Sequence, residues 1–336
     1  MRSDKNMKIW GITGGRRGND VLVEGVAAAL VGPKGGDDFR LIHTHLKAPY
    51  KWLAPYRLAE RAAKADPQIA HPIMSGDWPD LVIASGRQAV PHARYIKRAS
   101  GGRVFTAFLQ NPLINPKHFD LVWAPEHDQL RGANVISTLL SPHGMTLEGL
   151  IGEARNLQGR LLPSQPMGKV VTVLIGGPNA VYPFKEDEMR VLVSGLVKLA
   201  EAGHQLLITL SRRSPETYQT LLRQKLPGGS YFLWDGKGAN PYRAMLGLAD
   251  HIIVTGDSVN MVGEACLPGV PVHVFALRGG SAKFRRFHKA VLDNGYVLPF
   301  EGELRERPHH SFNATPDIAA AIGEAYARHS SQFGLS

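Results

Sequence analysis

The stretch Lys169–Pro178, KVVTVLIGGP, decides the fold. A nearly continuous β-branched run of strand length ends on two glycines and a proline, and a long helical pattern over Lys185–Ala202 follows. A run that is apolar on almost every residue, rather than on alternate ones, fits a strand covered on both faces, as in a parallel sheet. The opening of the chain has the same grammar. Lys8–Thr13 (KIWGIT) runs into the turn Gly14–Gly18 (GGRRG) and then a helix over about Asp20–Leu30.

Working outward, the second half continues with strands at Gln205–Leu210, Tyr231–Trp234, His251–Thr255 and Pro271–Phe275. Helices at Pro215–Gln224, Asn240–Leu248 and Ser258–Cys266 separate them. The first half adds strands at Phe39–His45, Leu81–Ser85, Val104–Leu109 and Leu121–Trp123, with a helix over Gln88–Arg98. Between the halves, Gly159–Gly168 (GRLLPSQPMG) carries two prolines and no periodicity, so it reads as a linker. The expected architecture is α/β, with two Rossmann-like parallel-sheet domains at 1–160 and 169–312. A C-terminal segment, 313–336, would follow, its helix at Thr315–His329 free to pack back on the first domain.

Composition narrows the function classes. The 336 residues carry 39 Lys plus Arg against 29 Asp plus Glu, a formal charge of +10. The lone cysteine, Cys266, rules out an internal disulfide framework and a CxxC zinc module. No apolar run reaches membrane-spanning length, and the polar Met1–Lys8 offers no secretory segment, so a cytoplasmic protein is expected. Nucleic acid is an unlikely partner by motif, since the net charge comes without any recognisable nucleic-acid-binding signature. No metal and no cofactor is called for.

In open parallel sheets ligands bind beyond the carboxyl ends of the strands, so the turns there hold the candidates. They are Gly14 and Gly15; Arg87 in Ser85–Arg87; Gly176 and Gly177; Arg212 and Arg213 in Ser211–Ser214; and Asp257 with Ser258 in Thr255–Ser258. Glycine-exposed amides, hydroxyls and guanidinium forks are the chemistry of anion binding. Gly14–Gly18 lacks the spacing of a nicotinamide fingerprint, and no glycine turn leads into the lysine of a Walker loop. Ser214 and Pro215 read as the cap and first position of the helix that follows. His43 and His45 share a strand face and read as core or rim histidines, and the acidic Glu186–Glu188 reads as a helix start. Two basic stretches remain: Lys47–Lys64, with Tyr50, Trp52 and Tyr56 interleaved, and the acid-free Arg278–Lys289. The first suits a membrane surface or a protein partner, and for a cytoplasmic protein that surface would be the inner membrane.

Several motifs in order, IGGP at Ile175–Pro178, SRRSPE at Ser211–Glu216, WDG at Trp234–Gly236, NPY at Asn240–Tyr242, TGDSV at Thr255–Val259, EAC at Glu264–Cys266 and FHK at Phe287–Lys289, resemble the mitochondrial fission factor family called Elongated Mitochondria. ASGR at Ala84–Arg87 and WAPEHD at Trp123–Asp128 extend the resemblance over nearly the whole chain. It implies a fold similar to the GT-B glycosyltransferases, in which a nucleotide-diphosphate sugar is held mainly by the second of two facing domains. On that likeness Glu264 is the ribose carboxylate, and Ser258 and Val259 present a helix start to the diphosphate. Gly176 and Gly177 form the donor loop, and Arg212 clamps phosphate. Where the likeness implies an Asn-Gln pair after the first glycine loop, this chain has Val21 and Leu22, and Asp20 is taken as the catalytic base. The implied activity is metal-independent, inverting sugar transfer to an acceptor. The alternative that the same family implies is a non-catalytic scaffold that recruits a protein or binds a membrane.

Overall fold

A computed structural model describes residues 7–32, 38–162 and 166–334. The polar start of the chain and the centre of the expected linker lie outside these residues. Two compact units form: one from the residues up to Gly144 together with those from Ala314 on, the other from Met145–Asn313.

The first unit is built on a six-stranded sheet, all of whose pairings are parallel. Its strands are β1 (Ile9–Thr13), β2 (Phe39–His43), β3 (Leu81–Ser85), β4 (Phe105–Leu109), β5 (Leu121–Trp123) and β6 (Val135–Ile136), in the order β2-β1-β3-β4-β5-β6. β1, β3, β4 and β5 are buried at every residue, as their unbroken apolar runs require. The helices of this unit are α1 (Arg17–Val31), α2 (Tyr50–Leu53), α3 (Glu60–Ala65), α4 (Pro67–Met74) and α5 (Val90–Ala99).

The second unit repeats the plan. Its sheet runs β12-β11-β10-β7-β8-β9, again wholly parallel. The strands are β7 (Val170–Ile175), β8 (Gln205–Leu210), β9 (Tyr231–Leu233), β10 (His251–Thr255), β11 (Val272–Phe275) and β12 (Leu298–Pro299). Around them lie α6 (Leu147–Leu161), α7 (Glu186–Glu201), α8 (Glu216–Lys225), α9 (Tyr242–Leu248), α10 (Val259–Ala265) and α11 (Ala282–Asp293). In each sheet the strand order reverses beside the first strand, between β1 and β3 and between β7 and β10. Such switch points open a crevice at the strands' carboxyl ends.

The boundary between the units differs from the one expected at Gly159–Gly168. Thr146 caps α6 by accepting from the Gly149 amide at 3.1 Å, and the helix then runs through Leu161. It packs on α9 so closely that a Cβ on Gly247 would fall 2.4 Å from the Leu150 carbonyl oxygen. The chain therefore joins the second unit at Met145, and the first unit is completed by α12 (Thr315–Gln332). That last helix packs on α1, and the Thr315 hydroxyl donates to the His143 carbonyl at 2.8 Å. Among the described residues no helix is long and apolar enough to cross a membrane.

One buried histidine gives the second unit a pH signature. His273 in β11 is fully buried, and its Nε2 accepts from the Arg305 amide at 3.0 Å. Burial, helped by His251, pulls its pKa down to about 4. Unfolded, the same side chain gains its proton near pH 6.5. Stability is therefore full above that value and is lost as pH falls from about 6.5 towards 4. His273→Gln should flatten the acid limb of the melting curve in this window, by on the order of 2 kcal/mol in urea unfolding followed against pH.

Candidate functional site

The switch point of the second unit is closed by one carboxylate. Asp257 follows β10 by two residues and is buried. Its Oδ1 accepts from the Thr255 hydroxyl at 2.7 Å, and its Oδ2 from the Gly177 amide at 3.1 Å and from Arg213 Nη2 at 2.9 Å. The Thr255 hydroxyl oxygen also accepts from the Gly176 amide at 2.8 Å. Asn179 Nδ2 donates to the Asp257 carbonyl at 3.2 Å. The loops after β7, β8 and β10 are thus pinned to a single side chain.

This convergence explains the two glycines. A Cβ on Gly176 would lie 2.0 Å from Asp257 Oδ1, and one on Gly177 would lie 2.6 Å from the Arg213 carbonyl carbon. Neither neighbour can yield, the first being a fully engaged carboxylate and the second backbone. Ser214 serves the same knot: its hydroxyl donates to the Gly176 carbonyl at 2.6 Å. It does not cap α8, where Pro215 holds the cap position.

The remaining candidates of this unit divide. Ser258 caps α10, its oxygen accepting from the Met261 amide at 3.3 Å while its O–H remains able to donate. With Val259 it begins a helix of only seven residues, whose dipole is correspondingly small. Arg212 is exposed, and Arg213 keeps 42% of its side-chain surface in solvent beyond its ion pair. Glu264 is half-buried on α10, and its Oε2 accepts from the Tyr242 hydroxyl at 2.6 Å. Burial raises the Glu264 carboxyl above the usual carboxylate range, while burial and the Glu264 charge push the Tyr242 phenol well up.

The basic stretch Arg278–Lys289 is a loop and most of α11. Arg278 is tied to the start of α7 through Asp187 at 2.5 Å and Glu188 at 3.5 Å. His288 Nε2 meets the Gly256 carbonyl at 2.8 Å. Burial pushes the Cys266 thiol up to about 12, which suits packing and not nucleophilic chemistry.

In the first unit Asp20 is buried, and its Oδ1 accepts from the Thr13 hydroxyl at 2.5 Å. The same oxygen lies 3.4 Å from Nε2 of His43, whose side chain is 46% exposed. Gly14 and Gly15 form the adjoining turn: the Gly15 amide donates to Thr13 Oγ1 at 3.1 Å. A Cβ on Gly15 would lie 3.5 Å from the His45 ring and one on Gly14 would lie 3.6 Å from Gln88. Sequence reading placed His43 at a rim or in a core. Its contact with Asp20 joins β2 to α1, a pairing that no spacing along the chain announces. Arg87 is differently employed from an anion donor. Its Nε donates to the Ala54 carbonyl at 2.6 Å and its Nη2 to the Trp52 carbonyl at 2.9 Å, so the guanidinium holds backbone. Among the described residues no three His, Cys, Asp or Glu side chains gather as a metal set.

Two doubly wound parallel sheets, each with its glycine turn at the switch point, define a protein of the GT-B fold. Among solved structures, the UDP-GlcNAc 2-epimerase of Methanocaldococcus jannaschii matches 97% of this chain and 100% of its own at a TM-score of 0.61 and 12% identity. The Neisseria meningitidis enzyme of the same name, solved bound to UDP-GlcNAc, matches 96% of this chain and 91% of its own at a TM-score of 0.54 and 13% identity. The chain belongs to the mitochondrial fission ELM1 family, whose model matches residues 18–326. The mitochondrial fission protein ELM1 of Arabidopsis thaliana is 26% identical over 267 residues, which span 73% of this chain but 62% of the plant protein.

The knot makes a direct forecast. Asp257→Ala strands Arg213, the Thr255 hydroxyl and the Gly177 amide together. It should cost about 3 kcal/mol or more, lowering the melting temperature of the second unit by roughly 10 °C in calorimetry. Arg213→Ala, which removes one half-exposed partner, should cost much less.

Proposed function

We propose that this chain is a glycosyltransferase-like protein. Its second unit binds a nucleotide-diphosphate sugar at the β7–β10 switch point, and the sugar is transferred to an acceptor hydroxyl. The observation that carries the reading is the Asp257 knot. A rigid glycine turn is held at a strand-end crevice with Arg212 exposed and Arg213 only partly spent. The Arg213 guanidinium, held by Asp257, stabilises the charge that grows on a departing diphosphate without reorganising at the moment of reaction. The fold neighbour from Neisseria meningitidis, bound to UDP-GlcNAc, supports the ligand class.

Glu264 is suited to the ribose. Tyr242 donates to Oε2 and orients the carboxylate, which leaves Oε1 for sugar hydroxyls. Asp20 is better suited to positioning than to proton transfer, since it is buried and accepts from Thr13. The exposed His43 beside it is the better base. A proton on Nε2 directed at Asp20 leaves Nδ1 with the free lone pair. In the transfer the acceptor's O–H proton goes to a base as its oxygen bonds the anomeric carbon. The bond from that carbon to the diphosphate oxygen breaks, and the electron pair leaves with the diphosphate.

Thermal melts with UDP, GDP, ADP and CDP test the reading. One of them at millimolar concentration should raise the midpoint. Should none do so, the donor site does not exist and the fold serves as a recruitment scaffold. Glu264→Gln keeps an acceptor for Tyr242 but loses the charge, so nucleotide affinity should fall by about tenfold to a hundredfold. Without ligand the sign reverses. The raised Glu264 pKa means that ionisation costs stability as pH climbs through and above 4.5, so the Gln variant should melt higher than the parent at pH 8. His43→Ala should abolish transfer and leave nucleotide binding intact.

A further inference from the structure

The stretch Lys47–Lys64 folds into a stiff platform. Leu46, Ala54 and Ala59 are buried together, with Tyr50, Leu53 and Ala62 packed against them. Arg87 grips the carbonyls of Trp52 and Ala54, and the Gln88 side-chain oxygen accepts from the Leu46 amide at 3.1 Å. The large side chains outside that small core point to solvent: Trp52 is 71% exposed, Tyr56 63% and Leu58 51%. So much ordered apolar surface in one short stretch marks a contact site.

Beside these rings lies a cavity of about 410 Å³ lined by Arg57, Leu58, Glu60, Arg61, Lys64 and Arg98. Its single acid is spent internally. Glu60 is buried, paired with Arg98 and 3.1 Å from Arg94. The acids around it are also engaged: Asp66 faces His92 at 3.3 Å and Asp120 binds Lys97 at 2.7 Å. The positive field is felt by its neighbours. Burial lowers the pKa of Arg94, opposed by Glu60 and reinforced by Arg98 and Arg57. Burial and then Arg94 lower that of His118. Arg57, Arg61 and Lys64 are exposed and have no acidic partner among the ion pairs of the described residues.

We propose that this face docks on an anionic lipid bilayer, with Trp52, Tyr56 and Leu58 entering the interfacial zone and a lipid phosphate seated among Arg57, Arg61, Lys64 and Arg98. Charge complementarity selects the occupant, and the apolar side chains select a bilayer over a free anion. Indole and phenol rings favour the headgroup level, and each nearby Lys or Arg adds about 1 kcal/mol of attraction to an anionic leaflet. Leu58 lines the cavity together with the arginines, an apolar and cationic mouth that matches the boundary between phosphate and acyl chain. Arg87 and Gln88 follow β3 directly, so docking places the carboxyl end of the first sheet at the membrane surface.

Flotation of the full chain with vesicles decides the matter. Vesicles of phosphatidylcholine with phosphatidylglycerol should carry the protein upward, phosphatidylcholine alone should not, and high salt should release it. Arg57→Glu with Arg61→Glu should abolish flotation. Trp52→Ala with Leu58→Ala should weaken it by about tenfold or more, from the lost burial of two large apolar side chains. All four positions are exposed, so melting temperatures should stay unchanged and confirm that the variants fold. Absence of flotation with anionic vesicles, or flotation that survives the charge reversal, overturns the proposal. Retention of single-stranded RNA in place of vesicles overturns it too, and assigns the face to nucleic acid. Nucleotide-induced melting shifts should be the same in the Arg57/Arg61 variant, so the outcome is independent of the sugar-transfer reading.

Discussion

A single buried carboxylate organises the second unit. Asp257 is satisfied in that position because three donors converge on it, and those donors come from the ends of three strands. Removing water from a carboxylate costs several kcal/mol unless the geometry of its partners is good. The demand works in both directions. The strands must end in register for the carboxylate to be satisfied, and once it is satisfied their loops cannot wander. Gly176 and Gly177 follow as a steric corollary, Ser214 as an extra tie, and the position of Arg213 as an electrostatic one. A ligand arriving at the switch point meets a surface already ordered, so binding need not bear the entropy of fixing those loops.

The first unit uses its strand ends differently. There the buried acid, Asp20, has a hydroxyl and an imidazole for company and, among the described residues, no guanidinium partner. The arginine available, Arg87, is spent on two backbone carbonyls of the neighbouring platform. The two units share a topology but carry unlike electrostatics: a cationic rim in the second, and an acid paired with an exposed histidine in the first.

Legibility in the sequence followed local pattern strength. Strands such as Lys169–Ile175 and Leu81–Ser85 announced themselves because burial on both faces demands continuous apolar runs. The two-residue edge strands β6 and β12 did not, since a pairing that short leaves no periodic trace. Helix α11 was hidden by its charge: Lys283, Arg285, Arg286 and Lys289 read as a basic stretch, although Phe287 and Val291 bury one side. The strand-end turns were legible as places, but the employment of each residue was not. Arg87 and Arg213 look alike in sequence, both following a strand. One holds carbonyls 33 and 35 residues away and the other a carboxylate 44 residues away. The contact of His43 with Asp20 escapes the sequence for the same reason. Contacts across elements decide roles, and spacing along one element cannot report them.

The last helix carries a consequence for how the molecule comes into being. The first unit is written in two pieces, with the whole of the second between them. A chain growing from its N-terminus exposes the face of α1 that α12 will cover long before α12 has been made. During that interval the second unit, uninterrupted in sequence, can already close around its own sheet. The half of the protein that is begun first is therefore the half that is finished last, and an incomplete copy lacking the final helix would pair one completed unit with one open one.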